Sequence, residues 1–454
     1  MLHLLNIIRM NKKFTYLLLV LGFLGLSAFI VIKYDLKIAG KTAEVYHFKD
    51  RRGAAAQLPE WTTIRSNGEA LIRKINSQPD DKASRIALAS LYIQEARITG
   101  DFGYYNSAAM KYLGDVLALE PANFDALLLK ALIQLSDHHF PEALQTAKSA
   151  QKINPYNAFV YGIMVDASVE LGQYEQAVAF SDNMMSVRPD IRSYSRVSYL
   201  REIHGDLPGA IEAMKMAVEA GGYGDEGTEW ARIQLARLYE NTGQLKAAEM
   251  HYLIALEERP GYPYAQVGLG HLALGKGDHQ KALSFYQQAD TIVHDMTIKM
   301  QIAKLHGIMN QGAQEKRILD GMISDLETSV SKGETAAHHH ADLELSQLYL
   351  LKGDAKRSLK HALAEYNRRP ENIEVNEWLA WVYHENGNIQ QASNHISKAL
   401  STQCKNPELL CRAGLIYYSA GEHQMAARLI KEALHNDPNI DPDLKQKSMG
   451  ITVQ

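Results

Sequence analysis

A chain in which the same spacing of small, turn-forming and aromatic residues returns every 34 positions is constrained to fold by stacking copies of one short unit. Between Glu229 and Ala289, the residues Ala236, Tyr239, Gly243, Ala248, Tyr252 and Ala255 are followed 34 positions on by Gly270, Ala273, Gly277, Ala282, Tyr286 and Ala289. The small residue at the centre of this pattern recurs at Ala109, Ala143, Ala177, Ala210, Ala248, Ala282, Ser358, Ala392 and Ala426, and six of the intervals are 33 or 34 residues. The remaining two, 38 and 76 residues, contain an extra Gly221–Asp225 loop and an eroded unit around Lys316 with an insertion near Ser329 to Ala337.

Around each small residue the neighbours repeat as well. Glycine stands five positions earlier at Gly172, Gly205, Gly243, Gly277, Gly353, Gly387 and Gly421, where a turn between two helices needs a residue that tolerates positive φ. Proline stands twelve positions later at Pro121, Pro155, Pro189, Pro260, Pro370 and Pro438, and ends the second helix. Tyr239, Tyr349, Tyr383 and Tyr417 stand nine positions earlier and fill the space between the helices. This pattern resembles the tetratricopeptide repeat family. The resemblance implies an all-α, right-handed superhelical solenoid of about ten helix–turn–helix units over residues 81–438, the first with a longer turn from Gly100 to Tyr105.

The flanks read differently. Phe14 to Ile32 is a run of 19 residues without a charge, long enough to span a hydrocarbon core. Residues 1–33 are expected to be a single transmembrane anchor, with a cleaved signal segment as the alternative. Lysines and arginines nearly balance across the run, and the short N-terminal tail favours an array on the periplasmic or extracytoplasmic side. Residues 34–58 are basic and aperiodic and read as a linker. Residues 59–80 form a capping helix beginning at Pro59, and residues 439–454 a tail or second cap.

The chemistry is sparse. Forty-eight Lys and Arg against fifty-two Asp and Glu give a net charge of -4, which leaves no basic excess for a phosphate backbone, so nucleic acid is not expected as a partner. Cys404 and Cys411 are too few for a four-cysteine metal knuckle, and are expected as buried thiols rather than a disulfide. Gly270 to Lys276 mimics the start of a P-loop, but Gly277 stands where a hydroxyl is required. His338, His339 and His340 cannot all face one metal from a helix. No enzymatic activity, metal or cofactor is expected.

The resemblance also implies where binding occurs. In the family the first helix of each unit lines the concave surface, and protein or peptide partners bind there. Carried onto this register, the groove positions are Arg192, Tyr199, Glu202, Arg237, Glu240, Asn241 and His271, then Gln347, Glu377, Trp381 and His384. The layout is similar to membrane-anchored repeat proteins of bacterial envelope assembly, without their cysteine-rich metal module. The expectation is a membrane-anchored scaffold or adaptor for protein–protein interaction. A peptide-sensing regulatory arm and a groove-based metal-dependent hydrolase are the alternatives.

Overall fold

The computed structural model describes residues 46–332, 341–437 and 440–452. Contacts divide the chain after His47, and residues 48–454 are described by themselves. Among the described residues there are 22 α-helices, one short 3-10 helix and no strand.

After the 3-10 turn Gly53–Gln57 and α1 (Pro59–Ser77), twenty helices pair in sequence as ten hairpins. The first five hairpins are α2 (Lys82–Thr99) with α3 (Phe102–Leu119), α4 (Phe124–Ser136) with α5 (Phe140–Ile153), α6 (Ala158–Glu170) with α7 (Tyr174–Val187), α8 (Ile191–Ile203) with α9 (Leu207–Glu219), and α10 (Glu226–Glu240) with α11 (Leu245–Glu258). Then come α12 (Pro263–Gly275) with α13 (His279–Asp290), α14 (Met296–Ile308) with α15 (Gly312–Lys332), α16 (Asp342–Leu351) with α17 (Ala355–Arg368), α18 (Ile373–Glu385) with α19 (Ile389–Ala399), and α20 (Pro407–Ser419) with α21 (His423–Asn436). A last helix, α22 (Pro442–Thr452), covers α20 and α21. First helices of neighbouring units touch one another from unit 1 to unit 6, and again between units 9 and 10, and form the inner layer there.

The repeat residues act as their chemistry dictates. Ala143, Ala177, Ala210, Ala248, Ala282, Ala392 and Ala426 are completely buried, because a larger side chain would push the paired helices apart. Two units lacking the turn glycine use His138 (φ +61°) and Asn310 (φ +58°) instead. In the seventh unit Glu315 stands five residues after that Asn310, where seven other units hold alanine. Gly307 on the facing helix makes room, since a Cβ there would lie 2.7 Å from Oε1 of Glu315. The first unit departs from expectation: its turn is short, Gly100–Asp101, and the extra residues extend both helices to 18 residues. Tyr105 occupies the usual alanine position there and is fully buried beside Tyr92, their ring centroids 5.9 Å apart.

The linker expected over residues 34–58 does not hold for its described end. Phe48 stacks on Tyr92 at 4.9 Å, and the Arg51 side chain is completely enclosed. Its Nη2 and Nε donate to the Glu95 carboxylate at 2.6 and 3.0 Å, and Nη1 donates to Glu60 at 2.9 Å. A buried, uncompensated carboxylate at Glu95 would be costly, and Arg51 supplies its counter-charge. Residues 14–32 and His338 to His340 lie outside the described residues, as does Pro438. No helix among the described residues is long and apolar enough to cross a membrane.

Successive turns of the solenoid touch. The hairpin turns of units 1, 3, 4 and 5 each face the loop or helix end that comes after the fifth unit beyond them. Cβ atoms built on Gly100, Gly172 and Gly205 would lie 2.6, 2.4 and 2.4 Å from the backbone of His294, Glu371 and Gln403, and one on Gly243 would lie 3.3 Å from Asn436 O. Hydrogen bonds join the same segments: His294 N to Thr99 O at 3.1 Å, Ile373 N to Tyr174 Oη at 2.8 Å, and Asn372 Nδ2 to Glu170 O at 3.2 Å. Arg369 pairs with Glu170, and Arg259 Nη2 with Glu60 at 3.0 Å, across the same boundary.

Candidate functional site

The inner layer encloses a cavity of about 1240 Å³, larger than the 300–1,000 Å³ usual for small-molecule pockets. Its wall is formed by α2, α4, α6, α8 and α10, through residues such as Ile93, Leu132, Phe159, Ile191 and Trp230. The extra loop expected between units 4 and 5 supplies its lip, with Gly221, Gly222 and Asp225 facing the space. The lining mixes apolar and aromatic side chains with polar ones and with the charged groups of Glu60, Arg97, Asp166, Arg192, Arg196, Glu202, Asp225, Glu226 and Arg237.

Those charges are arranged as cross-links between first helices. Arg196 Nη2 donates to Asp166 at 2.5 Å, Arg237 Nη2 to Glu202 at 2.9 Å, and Arg97 Nη2 pairs with Glu226 at 3.0 Å. Beyond the cavity the ladder continues, with His271 Nδ1 2.6 Å from Glu240 and Arg412 Nη1 2.5 Å from Glu377. Each pair joins a long basic side chain to an acid on a neighbouring first helix or across the groove, so the ladder fixes helix spacing as well as charge.

Of the residues expected from sequence, Arg192, Tyr199, Glu202 and Arg237 line the cavity together. Tyr199 donates from Oη to Glu374 at 3.1 Å, which carries the cavity wall to unit 9. Burial, then Glu374 and Glu170, hold its phenol well above the usual range. The charge of Glu202, against the opposing effect of burial, raises Arg237 further. Glu240 and His271 pair with each other on α10 and α12. Burial opposes charging of His271, but the hydrogen bond and charge of Glu240 outweigh it and push the imidazole up to about 9. Asn241 caps α10, its backbone N–H donating to Arg237 O.

The C-terminal residues do not join this group. Gln347 is half-buried on α16. Glu377 is committed to Arg412, and burial holds its carboxyl above the usual range. Trp381, expected at a groove position, is 7% exposed. It sits in the core formed with Leu444 of α22, with Lys447 Nζ 5.2 Å above its ring. His384 stacks on Trp381 at 5.1 Å, and its Nε2 lies 3.0 Å from Ser419 Oγ.

Phe159 and Trp230, which sequence reasoning passed over, add large aromatic side chains to the wall. Both stand near the start of a first helix, and Trp230 comes soon after the unit-length anomaly at Gly221–Asp225. The first P-loop-like glycine is a packing residue: a Cβ on Gly270 would lie 2.5 Å from the Tyr286 ring. Cys404 and Cys411 are both buried and unbridged. Among the described residues no group of three or more His, Cys, Asp or Glu is placed to hold a metal ion.

Residues 233–293 match the family model described as tetratricopeptide repeat. That segment spans two successive hairpins of the array. The other units share its hairpin geometry, so the array is a TPR-like solenoid. Among proteins of known sequence, the chain is 21% identical over 315 residues to the human antiviral innate immune response effector IFIT1, covering 63% of this chain and 62% of that protein. It is 22% identical over 379 residues to cellulose synthase operon protein C of Pseudomonas fluorescens, covering 79% of this chain and 26% of that one. The chain thus spans less than two thirds of the length of either relative. Among solved structures, a human IFIT1 dimer with PPP-AAAA is similar at 14% identity and a TM-score of 0.44, covering 70% of this chain and 72% of that one. A thermophilic TPR protein of Thermus thermophilus is similar at 22% identity and a TM-score of 0.36, covering 41% and 95%. None of these likenesses places a ligand on this chain.

Proposed function

We propose that this TPR-like solenoid is a binding scaffold that holds a segment of a protein partner in the cavity between the first helices of units 1 to 5. The observation that carries the reading is the cavity itself. It is larger than the usual small-molecule pocket, it offers apolar and aromatic side chains interspersed with polar and charged ones, and its walls are braced by ion pairs. Tethering through residues 14–32, with the array on the extracytoplasmic side of a bacterial envelope, belongs to the same proposal and rests on the apolar run alone. A sensing role is a second reading, favoured by the Tyr199 to Glu374 bond, which ties the cavity wall to a unit one superhelical turn away.

The human relative is seen with PPP-AAAA. For this chain a protein segment is favoured over a polyphosphate. Four arginines line the cavity, three of them already paired with carboxylates, and the net charge is -4.

The test is site-specific photo-crosslinking in cells, with the photoreactive residue at Gln94 in the cavity and at Leu253, exposed on the second-helix face, as control. A protein captured from Gln94 and not from Leu253 supports the reading, and its capture should weaken when Ser90→Trp narrows the cavity. Capture from Leu253 alone, or of RNA from Gln94, overturns it.

A further inference from the structure

The five first helices that wall the cavity are joined unevenly. α2 packs on α4, α4 on α6, α6 on α8 and α8 on α10, whereas no such packing returns from α10 to α2. Side chains and loops close that fifth junction. Arg97, near the end of α2, pairs with Glu226 at the start of α10, Nη2 to Oε2 at 3.0 Å, and both residues line the cavity. Arg259 Nη2 meets Glu60 at 3.0 Å, and His294 N donates to Thr99 O at 3.1 Å. Ala54 reaches Gly261 so closely that a Cβ added there would lie 2.4 Å from its own.

This seam is the weakest of the five junctions. The Arg97 side chain is 52% exposed and that of Glu60 35%, so water competes for both ion pairs and each holds little. The 3-10 turn that carries Ala54 has no buried residue. Arg97, Glu226 and Arg259 also border a void of about 30 Å³, where Leu58 and Ile98 on one side face Tyr262, Tyr264 and Ile292 on the other without filling the space. The segment 48–58 is gripped far better by unit 1, with Phe48 on Tyr92 and the enclosed Arg51 on Glu95. Parting the seam therefore breaks polar bridges and one backbone hydrogen bond, and leaves that segment attached to unit 1. Parting any of the other four junctions separates packed helices.

We propose that the seam between α2 and α10 is a lateral gate of the cavity, through which a partner segment with chain on both sides of it enters. Such a segment has no free end to thread, and the four packed junctions give it no other way in from the side. Residues 48–58 move with unit 1 as the outer lip of the gate.

This inference rests on the cavity being the binding site, and its test separates the two. Opening is read without a partner, by amide hydrogen exchange of residues 290–296 in the full-length protein. Arg97→Gln should speed that exchange about threefold, the effect of losing one part-exposed pair, and the charge-swapped Arg97→Glu/Glu226→Arg variant should bring it back toward the wild-type rate. Entry is read by photo-crosslinking from Gln94 to a nonapeptide pool degenerate in Leu, Phe, Ser, Lys and Glu, offered with free ends or inserted between two folded domains. When Arg97→Cys and Glu226→Cys are joined by a bismaleimide, capture of the inserted pool should fall about tenfold while the free-ended pool is still captured. The same two cysteines capped singly with N-ethylmaleimide should leave both captures intact, and the native Cys404 and Cys411 are buried away from either reagent. Unchanged exchange in Arg97→Gln, or equal capture of the inserted pool by joined and singly capped protein, overturns the gate and leaves the cavity reading standing. Equal loss of both pools on joining overturns the claim that only a segment without free ends needs the seam. Capture of neither pool from Gln94 in any form overturns both the gate and the cavity reading.

Discussion

The contact between successive turns of the solenoid can be measured by comparing two alanine substitutions that differ in one respect. Gly172 and Gly387 both occupy hairpin turns, with φ of +71° and +76°. Alanine at either position pays the same left-handed backbone strain, about 1–2 kcal/mol. The surroundings differ. No atom outside the turn lies within 4 Å of a Cβ on Gly387, whereas a Cβ on Gly172 meets the Glu371 backbone at 2.4 Å. Ordinary contact begins near 3.4 Å, so the 369–374 segment must retreat by about 1 Å. That retreat strains three bonds across the boundary: Tyr174 to Ile373 at 2.8 Å, Asn372 to Glu170 O at 3.2 Å and Tyr199 to Glu374 at 3.1 Å. At about 1 kcal/mol for each hydrogen bond lost, Gly172→Ala should cost roughly 2–3 kcal/mol more than Gly387→Ala.

The assay is urea unfolding of the two full-length variants by circular dichroism, with small-angle scattering of the native states. A repeat array need not unfold in one step, so midpoints of the transition reporting units 3 to 9 are compared instead of extrapolated energies. Gly172→Ala should show the lower midpoint and a larger radius of gyration. Equal midpoints and equal radii would refute the idea that the turns brace one another, and would reduce the turn glycines to their backbone role alone.

The packing and the charges set three further outcomes. Ala248→Leu, at a completely buried helix contact, should cost roughly 1–3 kcal/mol in chemical denaturation, and no loss would mean the repeat register is misassigned. Arg51→Ala leaves Glu95 buried without a partner and should cost about 3–5 kcal/mol, most of it recovered in the Arg51→Met/Glu95→Gln double variant. An undiminished midpoint for the single variant would show that the segment 48–58 is not held by this pair. His271 and His251 should titrate in opposite directions by NMR of their ring C2 protons. His271, raised to about 9 against an unfolded value near 6.5, adds stability that is complete below pH 6.5 and lost as pH rises through about 9. His251, lowered to about 4 by burial and then by Arg232 and Lys215, adds stability that is present above pH 6.5 and lost as pH falls through about 4. Two midpoints near 6.5 would overturn both assignments.

Much of the fold was written in residues whose role is local. A turn glycine such as Gly243 and a contact alanine such as Ala248 are each dictated by geometry within one hairpin, so their spacing carries the architecture. Long-range partners leave no such period. Arg51 meets Glu95 and Glu60 from a segment without repeat character, and Arg259 meets the same Glu60 from 199 residues away. The first unit misled for a related reason: Gly100 and the aromatic run after it resemble a long turn, but Tyr105 takes the alanine position by packing against Tyr92 and Phe48, neither of which the repeat pattern specifies.

The candidate site divides along the same line. Family register brought Arg192, Tyr199, Glu202 and Arg237 to one cavity because first-helix positions of adjacent units stay adjacent in any such stack. The same register carried Trp381 to a groove position that α22 then covers, since an inner-layer aromatic is open only where no later helix packs over it. The turn glycines hold the deeper lesson. Those of units 1, 3, 4 and 5 allow two backbones to approach, while Gly277, Gly353, Gly387 and Gly421 have only their own turn to serve. In sequence the two classes are identical. The difference arises only when the array coils back on itself, and that coiling carries Tyr199 across to Glu374 and couples the wall of the cavity to the far end of the solenoid.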